Sequence, residues 1–302
     1  MRTERGRTGD EGSWEIRQGL PDPRLRGRVL GYRGHRMDLG GPRRRLEVPV
    51  SAVTLVVEFE STVLLTDAAE PGRSATLSSL VSGVHRTATV GEYAGRLHGV
   101  TVSLTPAGAY EMLGPVVGDL GNQWADPADV LGTDGRDLAA RLTDAPDWPS
   151  RYRVLDRFFV SRLLEGTPWR PEVAFAWREL HRTGGTVPIR RLAGTTGYSL
   201  RRLETLFRRQ VGLSPKQAAQ VLRLRRVLQM YEREPGLGGA EIAARCGFFD
   251  QAHLDHTFRA MVGCSPRRFF AHRSAGGPTE PVDRLAGTVT SALLPTGTAG
   301  AL

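Results

Sequence analysis

Residues Leu192–Pro215 read LAGTTGYSLRRLETLFRRQVGLSP, and residues Ile242–Pro266 read IAARCGFFDQAHLDHTFRAMVGCSP. Both stretches contain an aliphatic residue followed by Ala, a Gly four residues after that Ala, an aromatic residue, Leu-x3-Phe-Arg, and Val-Gly-x-Ser-Pro. The second stretch has one additional residue between its first Gly and its Leu, so the offset shifts from 50 to 51. Agreement at so many positions indicates one structural unit that occurs twice.

Each copy of the repeat predicts a helix-turn-helix. Ala193 and Ala243 are small enough to let a second helix cross closely, and Gly197 and Gly247 supply the positive φ of a tight turn between the helices. The closing Gly of each copy suits a helix C-terminus. The Ser-Pro that follows begins another helix, because proline is tolerated in a first turn. Between the copies, residues 215–234 are predicted to form one long helix that spaces the two modules rigidly.

The second helix of each copy presents a polar face. The Leu and Phe of Leu-x3-Phe anchor it on one side, which leaves the opposite side exposed. Polar side chains of this kind contact phosphates and base edges in DNA. The predicted DNA-binding residues are Arg201, Arg202, Glu204, Thr205, Arg208 and Arg209 in the first copy and Gln251, Ala252, His253, His256 and Arg259 in the second.

Charge along the chain separates this region from the rest. The 302 residues carry 41 Lys+Arg and 32 Asp+Glu, for a net charge of +9. Residues 183–273 hold 16 basic and 6 acidic residues, whereas the other 211 residues hold 25 basic and 26 acidic ones. A basic block beside a neutral remainder is the footprint of a nucleic-acid partner. An anionic membrane surface is the competing partner, but no basic amphipathic helix or lipid-anchor motif points to it.

The rest of the composition argues for an intracellular protein. Two cysteines in a chain of this length do not make a disulfide framework. The first twelve residues lack the apolar core of a signal peptide, and no stretch approaches 18 consecutive apolar residues. We therefore expect a soluble, cytoplasmic protein with no membrane partner.

Residues roughly 171–273 resemble the DNA-binding domain of the AraC/XylS family of bacterial transcription regulators. The resemblance covers about a third of the chain. The family's C-terminal signature is matched by Gly247-Phe248, Leu254, Phe258, Gly263, Ser265-Pro266 and Phe269 or Phe270. Leu254 departs from the pattern, since an aromatic residue is usual there. The resemblance implies two helix-turn-helix modules joined by one long helix. It places base-reading positions at Arg201, Glu204, Thr205, Gln251, Ala252, His253 and His256.

The first half of the chain is predicted to be rich in β-strands. Short aliphatic and β-branched runs, separated by turn-rich segments, occupy Val48–Phe59, Ser61–Leu65, Thr76–Ser82 and Leu97–Leu104. From Pro106 the apolar spacing becomes helical, over Ala107–Leu113, Gly135–Leu142, Pro149–Leu164 and Glu172–Thr183.

A second, separate resemblance concerns this N-terminal half. Four of its segments resemble a domain found on a subset of AraC/XylS regulators: Leu80–His85, Gly95–Val100, Leu104–Ala109 and Ala145–Trp148. The resemblance implies a module for sensing or dimerisation, commonly cupin-like and β-rich.

Two groups of residues suggest metal sites. Cys246, His253, His256 and Cys264 have side chains that zinc accepts. Against zinc, the cysteines lie where apolar packing is expected and the histidines lie on the predicted DNA face. In the first half, His35, His85 and His98 suggest a cupin-type metal site or ligand contact. The alternative is that these three widely spaced histidines are ordinary surface or core residues.

The predicted fold is α+β: a β-rich N-terminal domain with following helices, then an all-α domain of two helix-turn-helix modules joined by a long helix. The predicted boundaries are disordered tails at 1–13 and 274–302, a sensing or dimerisation domain at 14–165, and a DNA-binding domain at 166–273.

The predicted function is a one-component, sequence-specific transcriptional regulator that is not an enzyme and uses no cofactor or metal. Its predicted partners are double-stranded DNA, a small-molecule effector and a second copy of the chain. The alternative is a metal-dependent or enzymatic N-terminal domain carried by a DNA-targeting module.

Overall fold

The computed structural model describes residues 2–8, 12–275, 284–285 and 288–294. The strands of the N-terminal half are β1 (Arg2–Thr8), β2 (Gly12–Gly19), β3 (Val29–Asp38), β4 (Arg43–Glu47), β5 (Val53–Glu58), β6 (Val63–Asp67), β7 (Ser74–Leu77), β8 (Leu80–Ser82), β9 (Thr89–Tyr93), β10 (Arg96–Leu104) and β11 (Trp124–Ala125). Three short strands follow the helical region: β12 (Arg284–Leu285), β13 (Thr288–Val289) and β14 (Ser291–Leu294).

The α-helices begin directly after β10 and, apart from the short strand β11 and the connecting turns, occupy the chain as far as residue 275. They are α1 (Pro106–Leu113), α2 (Pro127–Leu131), α3 (Thr133–Asp144), α4 (Trp148–Glu165), α5 (Pro171–Arg182), α6 (Ile189–Thr196), α7 (Leu200–Val211), α8 (Pro215–Arg233), α9 (Gly239–Arg245), α10 (Gln251–Val262) and α11 (Pro266–Ala275). No helix in the described ranges is both long enough and apolar enough to cross a membrane. The predicted α+β fold class, β-rich and then helical, is confirmed.

Antiparallel pairing joins the described strands into two large sheets. One has the order β1-β2-β3-β10-β5-β8-β11 and the other β14-β4-β9-β6-β7, while β12 and β13 pair with each other. Side chains of a strand alternate between the two faces of its sheet. On β10, Val100 and Val102 belong to the core formed with α1 and α4, whereas Thr101 and Ser103 line a cavity between the two large sheets. The first sheet therefore has a face covered by helices and a face turned to the cavity.

Helix α4 is fixed on that sheet by its N-terminus. The Asp147 carboxylate accepts a hydrogen bond from the Ser150 backbone N–H at 2.7 Å, which caps the helix. Trp148 then packs directly on the backbone of β3 at Gly34, where any Cβ would overlap the indole. The Tyr152 hydroxyl accepts from the Gly34 backbone N–H at 3.1 Å and donates to the Arg17 carbonyl at 2.6 Å.

The long helix α8 belongs to two cores at once. Its Ala218, Ala219 and Leu222 pack with α5, α6 and α7. Its Leu224 and Val227, about one turn further on, pack in the core that holds α9, α10 and α11. Because one rigid helix contributes to both cores, the two helix-turn-helix units are held at a fixed spacing.

The β-rich half touches the C-terminal ends of α7 and α10. A short 3₁₀ turn at Pro115–Gly118 and the following Gly121 lie against the end of α7, and a Cβ on Gly121 would overlap the Gly212 carbonyl oxygen. The Ala88 N–H donates to the carbonyl of Met261, near the end of α10, at 2.6 Å. One apolar core accordingly runs from the sheets into the second unit.

The predicted disordered tails at 1–13 and 274–302 are wrong where the structure describes them. Strand β1 pairs along its length with β2, and β14 pairs with β4. The sequence signal was misleading because an edge strand needs backbone pairing rather than large apolar side chains. In β1 the Arg5 guanidinium meets the Glu15 carboxylate at 2.8 Å. Residues 1, 9–11, 276–283, 286–287 and 295–302 of the predicted tails lie outside the described residues.

Candidate nucleic-acid interface

The first copy of the repeat folds as α6, a turn, and α7. Gly197 ends α6 in the left-handed region at φ 71°, and the Ser199 hydroxyl caps α7 by accepting from the Arg202 N–H. Leu203 and Phe207 are both fully buried. Gly197, Leu203 and Phe207 have the roles that the sequence predicts for them, so the face of α7 opposite Leu203 and Phe207 is turned outward.

The second copy repeats this arrangement with α9 and α10. Gly247 has φ 75°, and the Asp250 carboxylate accepts from the His253 N–H at 2.7 Å to cap α10. Leu254 is fully buried and Phe258 is 2% exposed. Leucine therefore fills the same anchoring position that an aromatic residue usually occupies.

The residues predicted to bind DNA lie on these outward faces. Glu204 is half-buried and all the others are exposed. The exposed members are Arg201, Arg202, Thr205, Arg208, Arg209, Gln251, Ala252, His253, His256 and Arg259. The two faces therefore present predominantly basic and polar groups.

Contacts within α7 restrict two of its side chains. The Thr205 hydroxyl donates to the Arg201 carbonyl at 2.9 Å, which leaves the oxygen lone pairs of that hydroxyl as acceptors. The Arg202 guanidinium lies over the Tyr198 ring, 5.0 Å from its centroid. Stacking of this kind holds a long side chain near the helix N-terminus.

His253 on α10 has a defined donor direction. Its Nδ1 accepts from the Phe249 backbone N–H at 3.3 Å, and its ring meets the Phe248 ring edge to face at 5.5 Å. A neutral ring that accepts through Nδ1 carries its proton on Nε2. His253 can therefore offer a hydrogen-bond donor to a base or a phosphate oxygen.

Comparison with known proteins finds matches to the region that contains the two repeats. A helix-turn-helix domain model matches residues 192–272, from the start of the first repeat into α11. HTH-type transcriptional activator RhaS from Escherichia coli strain K12/DH10B is 33% identical over 114 residues, which are 38% of this chain and 40% of RhaS. RhaS from strain O127:H6 matches to the same extent. Residues 192–272 form a helix-turn-helix domain of the AraC/XylS family. The chain thus spans two fifths of the length of these relatives.

Two solved structures match this chain at low sequence identity. ToxT from Vibrio cholerae O395 covers 76% of this chain and 96% of its own, at 9% identity and a TM-score of 0.42. The AraC-like transcriptional activator CuxR covers 76% of this chain and 86% of its own, at 15% identity and a TM-score of 0.31.

The AraC-type domain presents one apolar residue that the sequence did not single out. Phe249 is 92% exposed and directly precedes Asp250, the cap of α10. It lies in the turn that is one residue longer in the second repeat, and that additional residue is the sequence signal that could have identified it. Its ring therefore lies outside the core, at the start of α10.

Arg223 of the AraC-type domain has a structural role. The Arg223 guanidinium on α8 lies over the Phe248 ring, 5.4 Å from its centroid, and its Nη1 lies 3.4 Å from the Gly247 carbonyl. Burial lowers the pKa of Arg223. This side chain joins the long helix to the turn of the second module, so it is not a DNA-contact candidate.

The cysteines and histidines do not assemble in the way that a metal site needs. Cys246 and Cys264 are buried, and burial raises the pKa of each thiol to about 11, whereas His253 and His256 are exposed. Within the part of the chain that the structure describes, no three His, Cys, Asp or Glu side chains form a metal-binding group.

The three histidines of the β-rich half are also separated. His35 and His85 line the cavity between the sheets, and His35 pairs with Glu58 there. His98 lies under Trp148, with ring centroids 5.7 Å apart, on the helix-covered face. His35, His85 and His98 therefore do not come together in one site, because alternation on β10 turns His98 away from the cavity.

Proposed function

We propose that the protein is a sequence-specific, DNA-binding transcriptional regulator of the AraC/XylS type. The observation that carries the proposal is the paired geometry of the AraC-type domain, in which α7 and α10 each expose a polar face beside buried anchors. The concentration of the net positive charge in residues 183–273 supports the same partner, because DNA phosphates attract a basic surface.

In this proposal α7 and α10 enter two successive major grooves on one face of the DNA. Grooves on one face recur every helical turn, about 34 Å. Because α8 fixes the spacing within one chain, a single molecule reads an asymmetric site.

The contacts divide along each helix. Residues near a recognition-helix N-terminus meet base edges, so Arg201, Glu204, Thr205, Gln251 and His253 are the proposed readers. Ala252 offers only an apolar contact, such as one to a thymine methyl group. Further along, His256 faces the same groove. Arg202, Arg208, Arg209 and Arg259 are proposed to contact phosphates, which position the protein without reading sequence.

The β-rich half is proposed to be the sensor. Its cavity between the sheets has a volume of about 250 Å³ and is lined by side chains from both sheets. A concave, mostly apolar cavity with a few polar groups is the usual form of a small-molecule site. We propose that a small-molecule effector binds there, that the protein is not an enzyme, and that it acts in the cytoplasm.

Selection of DNA from a random pool by the purified full-length protein tests the function. The expected result is enrichment of one asymmetric motif with two conserved segments about one helical turn apart. The variant Arg201→Ala,Gln251→Ala should lose that enrichment, while Arg136→Ala, which removes one exposed positive charge from α3, should retain it. Failure of the parent protein to enrich any motif, or retention of the same motif by the double variant, would contradict the proposal.

A further inference from the structure

In the wall of the cavity between the sheets, His85 carries a buried polar atom without a hydrogen-bond partner. His85 is 7% exposed and its side chain lines the cavity. Its Nε2 lies 3.2 Å from the Gln123 carbonyl oxygen, which can only accept, so Nε2 carries the proton and Nδ1 presents its lone pair. Nδ1 is buried and has no hydrogen-bond partner among the described residues.

A buried polar atom without a partner is costly and calls for an explanation. The ring is held firmly, since it stacks on Trp124 at 5.2 Å and 24°, and the Arg73 guanidinium covers that indole at 5.0 Å. Burial lowers the pKa of His85 to about 4, and the nearby Arg73 charge contributes to the lowering. The ring is therefore neutral at neutral pH and acts as a fixed acceptor.

Most of the charged groups of the wall already have partners within the protein. Arg45 and Glu47 approach to 3.9 Å, His35 pairs with Glu58, and Arg33 also makes an interaction of its own. A charged ligand would have to compete with these pairs. The rest of the wall is mostly apolar, with Val56, Leu65 and Leu80 among its members, and it also carries hydroxyl groups such as that of Thr101. The cavity volume of about 250 Å³ exceeds the ~150 Å³ of an engineered apolar cavity that takes up benzene, and it suits about two fused rings.

We propose that this cavity binds an uncharged, largely apolar molecule of about two fused rings that carries a hydrogen-bond donor, and that Nδ1 of His85 accepts that hydrogen bond. The inference rests on the proposed function, in which this cavity is the effector site, and it names the chemical class of the effector. A hydroxyl or N–H on the ligand gives His85 the partner that the protein does not supply.

A matched pair of probes tests the ligand class on the full-length protein. 2-Naphthol carries a donor, and 2-methoxynaphthalene has the same ring system without one. We expect 2-naphthol to bind at least about tenfold more tightly in a calorimetric or fluorescence titration. The His85→Phe variant, which keeps a ring against Trp124, should reduce this preference to about twofold or less. Thr101→Val, which removes a different polar group from the same wall, should retain it.

The inference is overturned if the parent binds the two probes equally or binds neither, or if the preference for 2-naphthol survives in His85→Phe. It is also overturned if the parent binds the charged probe 2-naphthoate more tightly than 2-naphthol. If that variant does not fold, ¹⁵N-histidine spectra of the parent decide, because 2-naphthol should shift the unprotonated Nδ1 resonance of His85 and the methyl ether should not. DNA selection with the ligand-free protein is a separate experiment, which tests the proposed function and not the ligand class. A parent that selects its motif but shows no donor preference refutes the ligand class alone, and loss of motif selection refutes the proposed function.

Discussion

At the scale of single residues, the recognition faces differ in what their side chains can read. Arg201 on α7 is exposed near the helix N-terminus, and an arginine can donate two parallel hydrogen bonds to guanine O6 and N7. His253 on α10 offers one directed donor, because Phe249 occupies its Nδ1. Arg201 is therefore suited to bidentate recognition of guanine, whereas His253 makes a single directed contact.

Arg201→Ala is expected to relax sequence preference at one position of the DNA site. Loss of a bidentate base contact costs about 1–3 kcal/mol at that position and leaves the other positions unchanged. Binding curves against a series of single-base variants of the selected site measure this. Arg136→Ala is the control for loss of one positive charge. An unchanged preference profile in Arg201→Ala would remove this residue from the base-reading set.

Phe249→Ala is expected to weaken DNA binding without affecting the fold. The ring is 92% exposed in the free protein, so truncation removes no core packing. Burial of the ring against sugars or a thymine methyl group contributes about 1 kcal/mol, which corresponds to a roughly fivefold loss of affinity. Leu164→Ala on α4, where the side chain is 82% exposed, is the matched control. Unchanged affinity, or a lowered melting temperature, would contradict this role.

His85 is expected to make the stability of the protein fall in acid. Burial lowers its folded-state pKa to about 4, against about 6.5 in the unfolded chain. Between these values the unfolded chain binds more protons, so the free energy of unfolding decreases as the pH falls. The contribution is about 2 kcal/mol between pH 8 and pH 5. Urea unfolding at both pH values should show a smaller pH dependence in His85→Phe, and equal dependence in the two proteins would refute this assignment.

The sequence predicted the residues of the helix-turn-helix units well because their roles are local. A glycine in a turn and anchors four residues apart are each determined within a single copy, as Gly197, Leu203 and Phe207 illustrate. The role of His85 could not be predicted in this way. Its surroundings depend on Trp124 and Gln123, which are distant in sequence and which only the tertiary fold brings to the ring.

At the scale of elements, the predicted helices agree with the structure more closely than the predicted strands. The predicted Pro149–Leu164 corresponds to Trp148–Glu165, whereas the predicted Val48–Phe59 contracts to Val53–Glu58. Strands β1 to β4 were not predicted at all. Arg43–Glu47, for example, reads RRRLE and has one large apolar residue. Such a strand is stabilised by its neighbours β9 and β14, and that pairing is not written in its own residues.

Two glycine substitutions compare the interface at α7 with a free helix surface. Gly121→Ala places a methyl group against the Gly212 carbonyl and should destabilise the protein by about 1–3 kcal/mol. Gly194→Ala lies in α6, where a Cβ meets nothing within 4 Å, and should stabilise by up to about 1 kcal/mol through helix propensity. Chemical denaturation of both variants measures the difference. Effects of the same sign would mean that the end of α7 does not pack against the β-rich half.

At the scale of the whole molecule, the β-rich half and the helical AraC-type domain are not independent bodies joined by a linker. The core that begins at the sheets continues through α1 and α4 into α9, α10 and α11, while α5, α6 and α7 have a core of their own with α8. The second module is therefore tied to the sheets both by apolar packing and by the hydrogen bond from Ala88 to Met261. An effector in the cavity would act on a loop, Gly83–Ala88, that carries both His85 and this contact.

Ala243→Leu is expected to loosen the sheets as well as the second module. Ala243 is fully buried in α9, so the larger side chain overpacks the crossing with α10 and should cost about 1–3 kcal/mol. Because the Ala88 N–H is bonded to the Met261 carbonyl, its hydrogen exchange should accelerate together with that of amides in α10. Ala260→Leu, which adds the same atoms at an exposed position of α10, should leave both unchanged. If exchange accelerates in α10 but not at Ala88, the two halves open independently, and a signal from the cavity would then need another route to the recognition helices.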